Sequence, residues 1–306
     1  MNIGYSHPTL SRRPARAAVA ATAAAALLLG GCTIAVDDGD AGASESNAPA
    51  TTDDGRPNPT RGTAERGGAG HGDLAAEVED IAARYSGQVG VALANPGDTS
   101  GDAPETLGDL GSDVAWSTSK VPIAVASIRA TGAADGNVTA AITVSDNAAA
   151  EAVWASLGDP ATAAQAATDV LRDGGDTATE VNAERVRPEF TAFGQTEWAV
   201  ADQAVFGANL PCIDGGGAVL EPMSAIAADQ RYGLGTIDGA RYKGGWGPDE
   251  SGRYLVREFG VLPTDDGHVG VAVAVRPGDG TYATGQAMLG ELAAAIQRHL
   301  PAGGTC

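Results

Sequence analysis

The sequence contains very little lysine for a chain of 306 residues. Its only lysines are Lys120 and Lys243, whereas it has seventeen arginines. The 39 acidic residues outnumber the 19 basic ones, and the formal net charge is −20. We expect no nucleic-acid partner, because contact with phosphates requires clusters of positive charge. The two lysines are candidates for chemistry, since a desolvated lysine can give up its proton and an arginine cannot.

Histidine is also scarce: the chain has four, and His7 and His71 precede the expected folded domain. A Ser-His-Asp triad would have to use His268 or His299, and it would leave both lysines without a role. The sequence contains no metal-ligand spacing, no Walker loop and no Gly-x-Gly-x-x-Gly pattern after a predicted strand. We therefore expect neither a metal nor another cofactor.

Residues 1–31 are predicted to be a lipoprotein signal peptide. Three arginines precede an apolar run from Ala17 to Leu29, which is too short to span a bilayer and suits the core of a signal peptide. The run ends in Leu29-Gly30-Gly31-Cys32, which resembles the lipobox of bacterial lipoproteins. This resemblance implies that Cys32 is acylated and becomes the new N-terminus; the alternative is an ordinary signal peptide with a chance cysteine. We expect an exported monomer, anchored to the cell membrane by this lipid and facing away from the cytoplasm.

Residues 32–72 are predicted to form a disordered tether, because they are mainly polar and contain no aromatic residue. Such a segment buries too little apolar surface to offset the entropy of ordering it. Residues 73–306 are long enough for one folded domain. With Cys32 acylated, Cys212 and Cys306 remain as a pair in an oxidising compartment, which predicts a disulfide. Two buried free thiols are the alternative.

Hydrophobic periodicity predicts a helix, a strand, a helical block, three strands and a closing helix. Consecutive strands joined by short turns favour antiparallel pairing, so we expect a mixed sheet with the terminal helices on one face and a helical insertion elsewhere. The helices are expected near 74–85, from 117, and over 148–157, 161–172 and 286–300; the strands are expected over 88–94, 240–243, 254–262 and 269–275.

The first lysine lies in the segment Ser117-Thr118-Ser119-Lys120 at a predicted helix start. The i, i+3 spacing places the serine hydroxyl and the ammonium on one face of the helix, about one turn apart. A serine hydroxyl is a weak nucleophile unless a neighbouring base takes its proton. Ser117 is therefore the candidate nucleophile, with Lys120 as its base or part of its proton relay.

Two further motifs follow, Ser145-Asp146-Asn147 and Lys243-Gly244-Gly245. Either alone has a structural explanation, the first as a helix N-cap and the second as a strand end. However, both lysines of the chain fall inside the motifs. The order S-x-x-K, S-D-N and K-[T/S]-G resembles that of the active-serine β-lactamases and penicillin-binding proteins (DD-peptidases), and the flanking residues are similar to those of class A.

The resemblance implies an α/β (α+β) fold of the β-lactamase/transpeptidase type: a mostly antiparallel sheet with flanking terminal helices and a shortened helical subdomain. It also implies acyl-enzyme chemistry on β-lactams or on small peptidoglycan-related amides. Ser117 would attack a carbonyl, and Lys120 would accept its proton. Ser145 would pass a proton to the leaving nitrogen while Lys243 keeps the local field positive.

The substrate-binding residues implied by the resemblance are Asn147 and the segment Gly244, Gly245 and Trp246. Asn147 would hold the amide of the substrate side chain, and the backbone N–H groups of Ser117 and Trp246 would form the oxyanion hole. Gly244 departs from the family, which usually has a Thr or Ser hydroxyl there that helps to bind the substrate carboxylate. The site is thus expected to lack one of the family's substrate contacts.

Two other departures concern the helical region and the deacylating base. The interval from Ser117 to Ser145 is shorter than in class A, which implies a more open site. The family's water-activating glutamate falls on Arg185 in strict register, with Glu184 one residue earlier and Glu189 four later. Glu184 is the candidate base, and otherwise a solvated loop acid. The alternative function is a catalytically degenerate binding or scaffold lipoprotein.

Overall fold

The computed structural model describes residues 68–306. The helices are α1 (Gly68–Tyr85), α2 (Lys120–Thr131), α3 (Gly136–Thr143), α4 (Asn147–Ser156), α5 (Pro160–Asp173), α6 (Val200–Asn209), α7 (Gly216–Ser224) and α8 (Tyr282–Arg298). The strands are β1 (Gln88–Ala94), β2 (Leu107–Gly108), β3 (Ser112–Val114), β4 (Glu197–Ala199), β5 (Arg241–Pro248), β6 (Tyr254–Thr264) and β7 (Gly267–Arg276). Helix α1 begins at Gly68, earlier than the expected start near Leu74. The predicted signal peptide, the acylated Cys32 and most of the tether lie outside the described residues.

Five strands form one sheet in the order β2-β1-β7-β6-β5, and every pairing within it is antiparallel. Strands β3 and β4 form a separate antiparallel pair. The sequence analysis expected a mixed sheet, and in the described residues it is wholly antiparallel. Tight turns join β5 to β6 and β6 to β7, and such turns can connect only antiparallel neighbours. The predicted fold class is confirmed.

Helices cover both faces of this sheet. Helix α6 packs on β7 at Gly270, where an added Cβ would lie 2.1 Å from the Ala208 nitrogen. Helix α8 packs on the other face: Gly285 contacts Val256, whose pairing partner Val275 lies five residues from Gly270 and so points the opposite way. Helices α1 and α8 also contact each other, as expected for terminal helices on one face.

Helices α3, α6 and α7 were not predicted, and each lacks a clear amphipathic stripe or a clean start. Helix α6 is buried at eight of its ten residues, so its sequence shows no polar face to reveal the helical period. Helix α7 begins within a run of three glycines, residues 215–217, and contains Pro222. Helix α3 has only eight residues and begins at Gly136, after the N-cap Asp135.

The predicted disulfide is present between Cys212 and Cys306, with the two Cα atoms 5.3 Å apart. It joins the end of the α6 segment to the last residue of the chain. A backbone bridge between His268 and Gly304 holds the same C-terminal segment against β7. This end of the domain is therefore closed covalently across 94 residues.

Between residues 68 and 306, no helix combines the length and the apolar composition needed to cross a membrane.

Candidate active site

Ser117 lies in a short 3-10 helix, Trp116–Ser119, that leads directly into α2. Trp116, just before the serine, has φ +49°, a conformation that non-glycine residues rarely adopt. The Ser119 hydroxyl donates to the Trp116 carbonyl at 2.7 Å, and the buried Thr118 hydroxyl donates to the Ala115 carbonyl at 2.5 Å. These bonds fix the turn that presents the half-buried Ser117 side chain.

Strand β5 runs directly against this turn at the edge of the sheet. A Cβ at Gly245 would lie 2.9 Å from the Ser117 nitrogen and 2.9 Å from the Ala115 oxygen, so only glycine allows this approach. The family resemblance predicted that the strand segment 244–246 and the backbone N–H of Ser117 share one site. The structure brings these segments into contact.

Lys120, the first residue of α2, is 2% exposed. Its Nζ donates to the Ser145 carbonyl at 2.6 Å, to the Asn147 Oδ1 at 2.7 Å and to the Ser145 Oγ at 3.3 Å. The lysine therefore joins the start of α2 to the Ser-Asp-Asn motif, 25 residues away. Ser145 itself has φ +57°, so a second left-handed residue stands at this site.

Lys243 reaches the same serine from β5. It is fully buried, and its Nζ donates to the Ser145 Oγ at 2.9 Å and to the Gly244 carbonyl at 2.8 Å. Both lysines of the chain thus converge on one hydroxyl. Each lysine comes from a different element, so only the tertiary fold can produce this contact.

Burial lowers the pKa of both lysines. Desolvation brings the pKa of Lys120 down to about 8, partly opposed by the negative charge of Asp146. Desolvation lowers the pKa of Lys243 well below its ordinary value; the positive charge of Lys120 adds to this, and Glu258 opposes it. At neutral pH the pair can therefore lose or accept a proton, which an arginine at either position could not do.

A buried carboxyl group, Glu258, lies behind Lys243 on the neighbouring strand, paired in register with Gly244. Its Oε2 accepts the Leu234 N–H at 2.7 Å, while its Oε1 has no partner among the described residues. Burial raises the pKa of Glu258 well above its ordinary range, although the Leu234 N–H and Lys243 both oppose the rise. The sequence analysis did not identify this residue, because its burial depends on the strand register.

The 3-10 helix of Ser117 is held from behind by a buried polar chain. The Gln203 amide donates to the Thr118 hydroxyl at 2.9 Å, and Arg257 donates to the Gln203 Oε1 at 2.7 Å. Arg257 also donates to the carbonyls of Asp113 and Trp198, and it is fully buried. Helix α6 and strand β6 thus fix the position of the turn that carries Ser117.

Ser117 and Asn147 open onto a cavity of about 470 Å³, which Trp246 also lines. Three further aromatic side chains, Trp116, Phe190 and Tyr254, form parts of its wall, and the rings of Trp116 and Phe190 are 4.9 Å apart. The wall also includes the charged side chains of Glu151, Arg185 and Glu189, so the cavity offers both aromatic surface and ionic groups to a small ligand. Of the predicted residues, Ser117, Asn147 and Trp246 line the cavity, and Lys120, Ser145, Lys243 and Gly245 lie directly behind it.

The loop between α5 and β4 closes one side of the cavity. At its entrance the buried Asp176 accepts the N–H groups of Ala178 and Thr179 at 3.0 and 2.9 Å, and the indole N–H of Trp198 at 2.9 Å. Within the loop, Gln195 makes hydrogen bonds to both backbone groups of Arg187. These hydrogen bonds hold the loop backbone in place at its entrance and at Arg187.

Glu184 does not line the cavity that contains Ser117. It lines a separate hollow of about 560 Å³ on the outer side of the loop. The carboxylates that do line the cavity of Ser117 are Glu151 and Glu189, both ion-paired: Glu151 with Arg185 at 2.6 Å, and Glu189 with Arg187 at 3.1 Å. The one-residue offset of Glu184 from the expected register thus turns its side chain to the outside.

Glu151 was not among the candidate residues predicted from the sequence, although it lines the cavity of Ser117. Its position four residues after Asn147 in a predicted helix placed both side chains on one face, and that spacing was a usable signal. Its contact with Arg185, which is 34 residues away, could not be read from the spacing.

Comparison with solved structures finds class A β-lactamases. The β-lactamase from Sphaerobacter thermophilus DSM 20745 is 19% identical, with a TM-score of 0.56 over 74% of this chain and 97% of that chain. The chromosome-encoded β-lactamase of Vibrio parahaemolyticus is 18% identical, with a TM-score of 0.55 over 74% and 98%. A class A β-lactamase from Mycobacterium abscessus is 15% identical, with a TM-score of 0.56 over 74% and 98%. Comparison of the sequence with protein-family models and with curated proteins finds no match. The described part of this chain has the fold of the class A β-lactamases.

Proposed function

We propose that this protein is a lipid-anchored, extracytoplasmic serine hydrolase that forms an acyl-enzyme at Ser117 with β-lactams or cell-wall peptide-like amides. The observation that carries the proposal is the convergence of Lys120 and Lys243 on the Ser145 hydroxyl, at 3.3 and 2.9 Å, beside the cavity onto which Ser117 opens. The structural neighbours are themselves β-lactamases. Two buried lysines that share one hydroxyl are costly for stability, and a proton relay explains why they are kept.

In the proposed acylation step, the Ser117 Oγ attacks the amide carbonyl as its proton passes to neutral Lys120. With a pKa of about 8, roughly a tenth of Lys120 is neutral at pH 7. The proton then passes from Lys120 to Ser145, and Ser145 gives its own proton to the leaving nitrogen as the C–N bond breaks. Lys243, which donates to the Ser145 Oγ, stabilises the oxygen during this transfer.

The developing oxyanion would be bound where β5 meets the turn of Ser117. The candidate donors are the backbone N–H groups of Ser117 and Trp246, on either side of the close approach at Gly245. Donors of this kind are already oriented before reaction, so they stabilise the transition state without rearrangement. Asn147 accepts from Lys120 at 2.7 Å, and its amide NH₂, which donates to no group among the described residues, would bind the substrate side chain.

The anchor is supported by the sequence alone. The proposed acylation site Cys32 follows an apolar run and a lipobox-like segment, and a polar stretch separates it from the folded domain. A Cys32→Ser variant expressed in a Gram-positive host should leave the membrane fraction, whereas the wild type remains there. Equal membrane retention of both would contradict lipid attachment at this cysteine.

The catalytic proposal is tested by incubating the folded protein with benzylpenicillin and mapping the adduct by peptide mass spectrometry. We expect one adduct, on the peptide that contains Ser117, and none in Ser117→Ala. Ser119→Ala is the matched control, because Ser119 lies in the same short helix but its hydroxyl is already bonded to the Trp116 carbonyl. If the folded wild type forms no adduct at any time, the binding or scaffold function replaces this proposal.

A further inference from the structure

Glu151 stands on α4, one helical turn after Asn147, and both side chains line the cavity of Ser117. Residues four apart on a helix are neighbours on the same face. Asn147 is in turn bonded to Lys120, which ties this face of α4 to the lysine. No residue of the Ser-Asp-Asn motif supplies a carboxylate to the cavity, since Asp146 caps α4 by accepting the Ala149 N–H.

The Glu151 carboxylate is held by Arg185 of the loop. The Arg185 Nη2 donates to the Glu151 Oε1 at 2.6 Å, and Oε2 accepts no hydrogen bond from the described residues. Both residues line the catalytic cavity and also the outer hollow in which Glu184 lies. The ion pair therefore forms part of the partition between the two spaces, with Ser117 on one side and Glu184 on the other.

Glu189 is the other carboxylate on the cavity wall, but its support is different. It is 55% exposed and pairs with Arg187 two residues away in the same loop. Arg187 is itself held by the Pro248 carbonyl at 2.7 Å and by the ring of Phe190 at 4.3 Å. Glu151 stands on α4, the helix that carries Asn147 and begins two residues after Ser145. A group on a rigid element is positioned better than one on a loop.

Resting on the proposed function, we infer that Glu151 is the general base that activates the deacylating water and that Arg185 is its positioning residue. Glu151 takes a proton from a water molecule whose oxygen bonds to the acyl carbonyl carbon. As the bond between that carbon and the Ser117 Oγ breaks, the proton held by Glu151 returns to Ser117 through the site. The acyl group leaves as a carboxylic acid, and the enzyme recovers its starting protonation.

The test measures the lifetime of the Ser117 adduct in the full-length protein. Wild type and variants are acylated with benzylpenicillin, freed of excess reagent, and followed by intact mass. Glu151→Gln should still form the adduct, and its lifetime should lengthen by at least about 100-fold, the lower end of the effect of losing a general base. Glu184→Gln is the matched control, an identical change on the outer side of the same partition, and its adduct lifetime should equal that of wild type.

Arg185 is tested by paired substitutions. Arg185→Ala should lengthen the adduct lifetime about 10-fold because the carboxylate loses its orientation, and Arg185→Lys should restore most of the rate, which a purely structural role of the guanidinium would not predict. A wild-type adduct that never decays, an unchanged lifetime in Glu151→Gln, or a lengthened lifetime in Glu189→Gln alone would overturn the inference while leaving acylation at Ser117 intact. Absence of any adduct in folded wild type would overturn the proposed function, and this inference with it.

Discussion

Behind the cavity Lys120 and Lys243 are 2% and 0% exposed, whereas on its wall the side chains of Glu151 and Arg185 are 35% and 49% exposed. The buried lysines have lowered pKa values because water cannot solvate their charge. The exposed pair is solvated on both sides, and such pairs contribute little to stability. Under the proposed function, the groups for acylation are therefore held in place by burial, while those for deacylation depend on a loop contact that water can loosen.

The largest effect is expected from replacing a buried lysine by a cation that cannot lose its proton. Lys120→Arg keeps the charge and removes the base, so the rate of Ser117 acylation should fall by about 10²–10⁴-fold. The rate is measured by the appearance of the penicillin adduct. Arg129→Lys, a basic exchange on the same helix and away from the cavity, is the control and should acylate normally. Equal rates in Lys120→Arg and wild type would show that this lysine is structural.

A smaller loss is expected from separating β5 from the turn of Ser117. In Gly245→Ala the new methyl group meets the Ser117 nitrogen and the Ala115 oxygen at 2.9 Å. This clash pushes β5 away from the turn and so separates the two proposed oxyanion donors, the N–H groups of Ser117 and Trp246. Acylation should slow by about 10²–10³-fold, the usual effect of losing one such donor. Gly217→Ala, where a methyl group meets nothing within 4 Å, controls for the substitution itself. Normal acylation by Gly245→Ala would place the oxyanion site elsewhere.

The lowered pKa of Lys120 should also be visible in the pH dependence of stability. The pKa of Lys120 is about 8 in the folded protein and near its ordinary 10.5 in the unfolded chain, so the unfolded state binds more protons between these values. The wild type should therefore gain about 2–3 kcal/mol in unfolding free energy relative to Lys120→Met between pH 7 and 10. Urea unfolding of both proteins at the two pH values measures this. A difference that does not change with pH would contradict a lowered pKa for Lys120.

The exposed Glu151–Arg185 pair should contribute little to the free energy of unfolding. Removing the Glu151–Arg185 pair by Arg185→Ala should change the unfolding free energy by less than about 1 kcal/mol, since both side chains are over a third exposed. The measurement is again urea unfolding at neutral pH. A loss of several kcal/mol would mean that the pair is part of the structural framework. The contrast between the buried lysines and this exposed pair would then fail.

Features that depend on local sequence were predicted most closely: the strand 88–94 was predicted at its observed bounds. The predicted pairing of Ser117 with Lys120 rests on their three-residue spacing, and among the described residues the Lys120 Nζ bonds to Ser145 and Asn147 rather than to Ser117. Lys120 and Lys243 could be related to each other only through their scarcity and the motif order. The family resemblance assigned Ser145 and both lysines to one site, whereas the contact of both Nζ atoms with the Ser145 Oγ is a finding of the structure.

What could not be predicted depends on how the loop and the sheet register place distant residues. Glu184 and Arg185 are adjacent in sequence, yet of the two only Arg185 lines the cavity of Ser117. Neighbouring side chains in an extended loop point in different directions. The burial of Glu258 follows from its register opposite Gly244. Neither property is encoded in a short pattern, so residue type and approximate position were insufficient.

The most direct test of the account compares acylation and deacylation in a single sample. Benzylpenicillin is added to folded wild-type protein, and the Ser117 adduct is followed by intact mass from formation to decay. The buried lysines and the solvated Glu151–Arg185 pair predict that the adduct accumulates to near stoichiometry and persists for minutes or longer. Rapid hydrolysis of penicillin with no accumulated adduct would contradict the proposed difference between the acylation and deacylation groups. Complete absence of both adduct and hydrolysis would contradict the assignment of Ser117 as the nucleophile.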